Sequence, residues 1–598
     1  MFNDWINADI KIKKEEVRKI VKKLMDCLDK EYRRYALLTP VVMIGEVVME
    51  VALPFIMARI IDVGIQNKDI TYITKMGILM IVMALLSLTF GALAARFSAI
   101  AGTGFSNGVR KKLFYKIQEF SFSNVDKFST PSLVTRLTTD VTNLQNAFMM
   151  VIRIMVRAPM MLVCAIFMSI YINARLSLIF FVAVPILGVA FYFISKGAFP
   201  RFKSMLKKYD KMNARVQENL VAIRVVKAFV REDYEIKKFN FSADEVRKAQ
   251  LRAEKIIIFN MPIMQLVMYG CMIAVSWFGG NLIISQNMQT GQLMSFISYV
   301  TQILMSLMMI SMIFVMLVLT RASVSRIIEI FDEEVDIKNN IKNPKKEVKN
   351  GSISFENVTF KYTKESENVA LSNINLDIKS GETIGIIGET GSSKSTLVQL
   401  ISRLYDVNEG KILVGGVDVR DYDTECLRNS VATVLQKNVL FSGTIIDNLR
   451  WGNENATEEE VINACKDADA HNFIMGFPNK YKTDLGQGGV NLSGGQKQRL
   501  CIARALLKKP KIIIMDDSTS AVDTNTDSNI RKALRKNLKG TTTIIIAQRI
   551  SSISECDRIV MMSDGKIDQI GTHKELLKNN MIYKEIYDSQ QKGAQEDA

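Results

Sequence analysis

The run IIIMDDSTSAVD, residues 512–523, ends an apolar stretch on two carboxylates, Asp516 and Asp517. A short apolar run stopping at paired acids reads as a buried strand that delivers carboxylates to a ligand. A second stretch says what that ligand is. GETGSSKST (388–396) follows the strand-like TIGII (383–387) and precedes the helix-like LVQLISRLY. Strand, loop and helix in that order are the context a phosphate loop requires. Backbone N–H groups from Gly391 to Thr396 would cradle phosphates at the helix N-terminus, in a loop that also holds Gly388, Glu389, Thr390, Ser392 and Ser393. Lys394 would pair β- and γ-phosphate oxygens, and the Ser395 hydroxyl would ligate Mg²⁺. Asp516 would stand just behind the ion's direct ligands, and Asp517 falls where a water-activating base is expected. Ser393 replaces the second glycine of the pattern G-x-x-x-x-G-K-[ST], so the match is one residue short.

Elements to position these groups can be read outward along the chain. Its 598 residues imply more than one domain. The first 330 residues hold long apolar runs, and the last 250 read as a soluble domain. A spanning helix needs about 20 apolar residues. Six segments qualify, at about 35–65, 76–100, 149–171, 176–198, 256–284 and 292–320. The gaps at 66–75, 172–175 and 285–291 are short and hold few charges, whereas 101–148 and 199–255 are long and rich in Lys and Arg. The positive-inside rule puts the long loops, both termini and the C-terminal domain in the cytoplasm. Helical spacing in QENLVAIRVVKAFVREDYEIKKF (217–239) makes the long loops helical hairpins projecting from the membrane. Val17, Val21, Leu24 and Leu28, set among lysines, suit an amphipathic segment within 1–34 that lies on the inner surface, or a plain solvated helix. The polar, Pro344-interrupted linker divides a membrane domain (35–325) from a cassette domain (351–598), with 326–350 between them.

Composition narrows the class further. A net charge of +16 suits either a solvated basic surface or loops on an anionic membrane face. No basic, aromatic-interleaved module points to nucleic acid. The seven cysteines include no CxxC pair, which argues against a zinc site or a disulfide framework. The N-terminus lacks the features of a signal peptide.

NLSGGQKQR (491–499) resembles the signature of the ATP-binding cassette (ABC) family. VLQKNVLFSGTIIDNLRWG (434–452) is similar to the family's Q-loop, STSAVD (518–523) to its D-loop, and FENVTFKY (355–362) places Tyr362 where the family stacks an aromatic on adenine. Six spans followed by one cassette resemble an exporter half-transporter. The resemblance implies an all-α six-helix membrane domain of the exporter type. An α/β phosphate-loop domain follows, with an antiparallel β subdomain and a helical signature subdomain. It further implies that two cassettes pair head to tail, with ATP and Mg²⁺ between them. Gln436 would contact Mg²⁺ and couple the domains, Ser493, Gly494, Gly495 and Gln496 would reach the partner's γ-phosphate, and the hairpin tips would dock on the cassettes, one on the opposite subunit.

Three positions besides Ser393 depart from the family pattern. Asp517 stands where the family has glutamate, Gln548 where it has the switch histidine, and Gln487 where it tends to glutamate. Asp is one methylene shorter than Glu, which retracts its carboxylate by roughly 1.5 Å. Gln548 can hydrogen-bond a phosphate but cannot take an imidazole's charge. The expectation is a site that binds ATP and hydrolyses it poorly, in a heterodimer whose partner half-transporter supplies Glu and His. Glu46 and Glu50, one helical turn apart in the first span, would bind a cationic substrate or pair with basic residues elsewhere. Methionine faces that include Met268, Met272, Met305 and Met309 suit a promiscuous apolar cavity, ordinary packing or lipid contact. Together these features suggest an exporter of amphipathic, drug-like compounds in the plasma membrane. A lipid flippase, a peptide exporter and an ATP-gated regulator or channel are the alternatives.

Overall fold

The computed structural model describes residues 14–339, 343–362, 368–517, 524–537 and 540–596. The D-loop-like 518–523, residues 1–13 of the N-terminal segment and 340–342 of the linker lie outside the described residues. The chain folds as two units, one comprising Met1–Gln118 with Thr130–Glu333, the other Glu119–Ser129 with Glu334–Ala598.

The first unit is helical. Its elements are α1 (Lys14–Met25), α2 (Lys30–Arg59, extended by a π-helical turn, Ile60–Ile65) and α3 (Ile70–Gln118). A short helix α4 (Phe122–Phe128) then belongs to the second unit. The first unit resumes with α5 (Thr130–Thr135), a π-helical turn (Arg136–Asp140), α6 (Val141–Ile172), α7 (Ala174–Val221) and α8 (Ile223–Ala228). It ends with α9 (Glu232–Ile257), α10 (Asn260–Ile284) and α11 (Thr290–Asp332). Six of these helices, α2, α3, α6, α7, α10 and α11, carry windows apolar and long enough to cross a membrane.

The helices run far past their apolar windows. The 49 residues of α3 extend to about 70 Å, more than twice a hydrocarbon core of about 30 Å. Helix α7 likewise continues through Lys- and Arg-rich sequence to Val221, and α9 returns beside it. The core of this unit gathers Phe180, Leu187, Phe296, Tyr299, Val300 and Ile303. Phe180 stacks on Phe296 at 5.4 Å, and the Tyr299 hydroxyl donates to the Val51 carbonyl at 2.8 Å, so a buried phenol finds the partner it needs. Near the far end of α11, Arg136 donates to the Arg326 carbonyl at 2.9 Å and pairs with Glu329 at 2.9 Å, while Arg326 grips the buried Asp140 at 2.7 Å.

The second unit is built on a six-stranded sheet of order β12-β11-β3-β10-β9-β6, parallel except for β12 (Lys566–Gly571). Strands β3 (Thr383–Gly388), β6 (Val431–Val434), β9 (Ile512–Asp516), β10 (Thr542–Ile546) and β11 (Arg558–Ser563) read as near-continuous apolar runs because both faces of a parallel sheet are covered. An antiparallel sheet of β1 (Ile353–Phe360), β2 (Leu371–Ile378), β4 (Glu409–Val414) and β5 (Val417–Asp418), in the order β2-β1-β4-β5, packs into the same core through Phe355, Phe360 and Leu376. A helical subdomain carries its own core around Leu449, Cys465, Ile474 and Leu500.

Candidate nucleotide site

Register places the site. Asp516 on β9 pairs with Ile546 on β10, Ile546 with Ile386 on β3, and Met515 with Val434 on β6. The carboxyl ends of four adjacent parallel strands therefore release Gly388, Gln436, Asp517 and Gln548 on one side of the sheet. Ligands of open α/β sheets bind there, outside the strands' carboxyl ends.

The phosphate loop leads from β3 into α12 (Lys394–Ile401). Gly391 turns with φ +92°, and Gly388 lies so close to its neighbour strand β11 that a Cβ would meet the Met562 carbonyl at 2.1 Å. Lys394 reaches back over the loop, donating to the carbonyls of Gly388 (2.9 Å) and Glu389 (2.7 Å) and to Ser392 Oγ (3.3 Å). Glu389 and Thr390 lie exposed beside it. Ser393, at the position of the missing glycine, adopts φ +67°, ψ 27°. The pattern's glycine is thus a backbone requirement, and serine meets it at the cost of left-handed strain.

Ser395 Oγ donates to Asp516 Oδ1 at 2.9 Å, so the hydroxyl expected on Mg²⁺ and the strand-end acid behind it are already joined. Beside them Gln548 Nε2 donates to Asp517 Oδ2 at 2.9 Å, and Gln436 Nε2 approaches the same oxygen at 3.4 Å. Burial pushes both carboxyls above the usual Asp range; the Ser395 hydrogen bond opposes this at Asp516, and the Gln436 hydrogen bond opposes it at Asp517. Burial likewise lowers Lys394, against the pull of Asp516 and Asp517. One ammonium facing two desolvated carboxylates leaves the cluster short of positive charge, and a divalent cation held at Ser395 and Asp516 fits that deficit.

Tyr362 is 49% exposed, its hydroxyl bonded to Thr396 Oγ1 at 2.9 Å, which leaves a ring face open to stack on a base. Neither histidine is available to the site. His471 Nδ1 pairs with the Tyr481 hydroxyl at 2.9 Å, and His573 Nδ1 with that of Tyr583 at 2.8 Å.

Comparison with known proteins agrees with this geometry. Residues 37–308 match the family model described as the ABC transporter transmembrane region, and residues 371–520 the one described as ABC transporter. The chain is 39% identical over 561 residues to the uncharacterized ABC transporter ATP-binding protein YfiB of Bacillus subtilis (strain 168), covering 94% of this chain and 97% of that protein. The chain belongs to the ABC transporter family. This ABC transporter is also 32% identical to the ATP-dependent lipid A-core flippase of Desulfotalea psychrophila (strain LSv54 / DSM 12343), covering 90% of this chain and 93% of the flippase. It is 31% identical to YgaD of Bacillus subtilis (strain 168), provisionally named a multidrug export ATP-binding/permease protein, over 93% and 97% of the two chains. Its fold matches a bacterial Atm1-family ABC exporter solved with ATP bound, with a TM-score of 0.81 at 24% identity over 94% of this chain and 99% of that one. The chain is thus an ABC transporter that joins one transmembrane region to one ATP-binding domain, a multi-pass membrane protein with the fold of an ABC exporter.

The ABC signature caps α13 (Gly494–Leu507). Ser493 Oγ accepts from the Gln496 N–H at 3.3 Å, and Gln496 Oε1 accepts from the Ser493 N–H at 3.0 Å. Among the described residues these caps are the only hydrogen bonds that Ser493, Gly494, Gly495 and Gln496 make through side chains. In the membrane unit, Arg157 of α6 pairs with Glu46 at 3.1 Å and with Glu50 at 2.8 Å. Arg157 was not singled out from the sequence, since a lone arginine in an apolar span does not reveal which acids it meets. Met268 packs against the membrane-unit core, Met272 is half-buried, and Met305 and Met309 are exposed one turn apart on α11.

Proposed function

We propose that this chain is one half of a heterodimeric exporter of amphipathic compounds, and that its own phosphate loop binds ATP but hydrolyses it slowly. One observation carries the reading. The acid at the base position, Asp517, is the short one, and its Oδ2 is engaged by Gln548 and Gln436. A general base must reach the proton it removes, and a displacement of about 1 Å costs on the order of 100-fold in rate. Neither carboxamide can supply an imidazole's charge. The capped signature at Ser493–Gln496 remains free to complete the competent site of a partner that brings Glu and His. The hairpin tip between α7 and α9 favours pairing as well, since Val225, Phe229, Val230 and Tyr234 are exposed there.

Both termini and the cassette lie on the cytoplasmic side of the cell membrane in this reading. The relative named for multidrug export supports a drug-like substrate, with Glu50, Met268, Met272, Met305 and Met309 as contacts. The flippase relative supports a lipid instead, and vesicle assays with each substrate class decide between them. The site reading is tested by ATPase assays of the chain purified alone and with a half-transporter carrying Asp-Glu after the corresponding strand. Slow turnover alone and fast turnover in the pair is the expected result; equal rates overturn it.

A further inference from the structure

Tyr405 lies four residues beyond α12, is 9% exposed, and had no role in the site as read from sequence. Its ring meets Tyr362 edge-on, with centroids 5.3 Å apart at 88°, and both tyrosines also contact Phe360, at 5.6 Å and 5.0 Å. On its other side Tyr405 touches α4, edge to face with Phe122 at 6.0 Å, and its hydroxyl donates to Asp126 Oδ2 at 2.7 Å. Burial and the Asp126 hydrogen bond both push the phenol's pKa up, so it stays protonated and donates. Helix α4 is otherwise anchored through its capping Ser121 and through Ser123, which donates to Asp336 at 2.6 Å, while the Asn124 side chain donates to the Glu334 carbonyl at 3.0 Å.

A phenylalanine at 405 would fill the same core. The hydroxyl is therefore the feature that packing does not explain, and its partner lies on a segment that follows α3 in sequence yet sits in the cassette unit. We propose that Tyr405 is a positioning residue that links base occupancy at Tyr362 to the seating of α4 through its hydroxyl on Asp126. The link rests on reading Tyr362 as the adenine platform. A base stacked on Tyr362 fixes the ring that Tyr405 abuts at a right angle, and Tyr405 in turn holds Asp126. Linkage requires the reverse as well: a seated α4 favours the ring arrangement that accepts the base. The phosphate loop meets Tyr362 only at its hydroxyl, through Thr396, whereas a base loads the ring face, so a triphosphate without a base leaves that face unloaded and should not protect α4.

The test uses the full-length chain in lipid nanodiscs, with Mg-ATP and Mg-tripolyphosphate as probes. Tyr362→Ala should weaken ATP about tenfold and leave tripolyphosphate within about twofold. Tyr405→Phe and Asp126→Asn should each weaken ATP about fivefold without affecting tripolyphosphate, and the double variant should be no weaker than either single, as expected of one shared interaction. Hydrogen exchange of residues 122–128 should slow on adding ATP but not tripolyphosphate, and Tyr405→Phe should abolish that protection. If Tyr362→Ala leaves ATP binding unchanged, the platform reading falls and the link with it. If Tyr362→Ala behaves as expected but Tyr405→Phe binds ATP and protects α4 like the natural chain, the link alone is overturned. Multiplying effects in the double variant also overturn it.

Discussion

Gln548 Nε2 sits 2.9 Å from Asp517 Oδ2, so the residues at the expected switch and base positions are bonded to each other. The slow site proposed above rests on this contact, in which the carboxamide holds the carboxylate at the expected base position.

That pairing yields the sharpest expectation. Asp517→Glu combined with Gln548→His, in the chain purified alone, should raise ATP turnover by about 10- to 100-fold, the range a misplacement of about 1 Å implies. Neither single change should reach the double's rate, because each leaves one half of the pair in place. Steady-state phosphate release measures this, and unchanged turnover in the double variant would contradict the slow-site reading.

Ser393 holds φ +67° without being glycine. Left-handed backbone costs an L-residue about 1–2 kcal/mol. Ser393→Gly should therefore stabilise the cassette by roughly 0.5–1 kcal/mol, the glycine's greater unfolded freedom offsetting part of the gain. Gly391→Ala, at φ +92°, should destabilise it and weaken phosphate binding. Denaturant midpoints and tripolyphosphate affinity report both.

Arg157 is shared by Glu46 and Glu50, and Glu46 Oε2 is buried without a hydrogen-bond partner among the described residues. Arg157→Met leaves two carboxylates uncompensated inside the membrane unit and should cost about 3–5 kcal/mol. The charge-free combination with Glu46→Gln and Glu50→Gln should recover most of that loss. Thermal inactivation in detergent compares the three. Glu50→Gln alone should depress export of cations more than of neutral compounds if the acid also meets substrate.

In the cassette, Arg558 Nη2 donates to Glu382 Oε2 at 2.9 Å, and the Lys379 N–H to the same oxygen at 2.8 Å. Burial alone would raise Glu382, but these bonds outweigh it and hold the carboxyl below its ordinary value. A depressed acid adds stability above its unfolded pKa of about 4.3, and that stability is lost as pH falls through the lower folded value. Glu382→Gln should therefore destabilise the cassette at pH 7 and flatten its acid-side decline. Melting temperature as a function of pH measures the slope.

The sequence was most legible where one residue pattern leaves little choice. IIIMD can hardly be anything but a covered parallel strand, and α3, α10 and α11 contain apolar stretches long enough to span. The phosphate loop, the signature and the strand-end acids needed only local spacing. Contacts set by tertiary placement were not readable in this way. Arg157 meets two acids a hundred residues away, and Tyr405 meets Asp126 across 279 positions. The long loops read as helical hairpins, and the structure adds that polar residues beyond the apolar windows continue the spanning helices α3 and α7 without a break.

Helix α4 belongs to the cassette unit although about two hundred residues of membrane-unit sequence separate it from the rest of that unit. During synthesis, then, the ribosome releases this small peptide long before the surface that receives it exists. The cassette cannot be finished until the spans are in place and the earlier piece is on hand. A fragment beginning at residue 334 would emerge with the Tyr405 hydroxyl unmet and a notch where the peptide belongs.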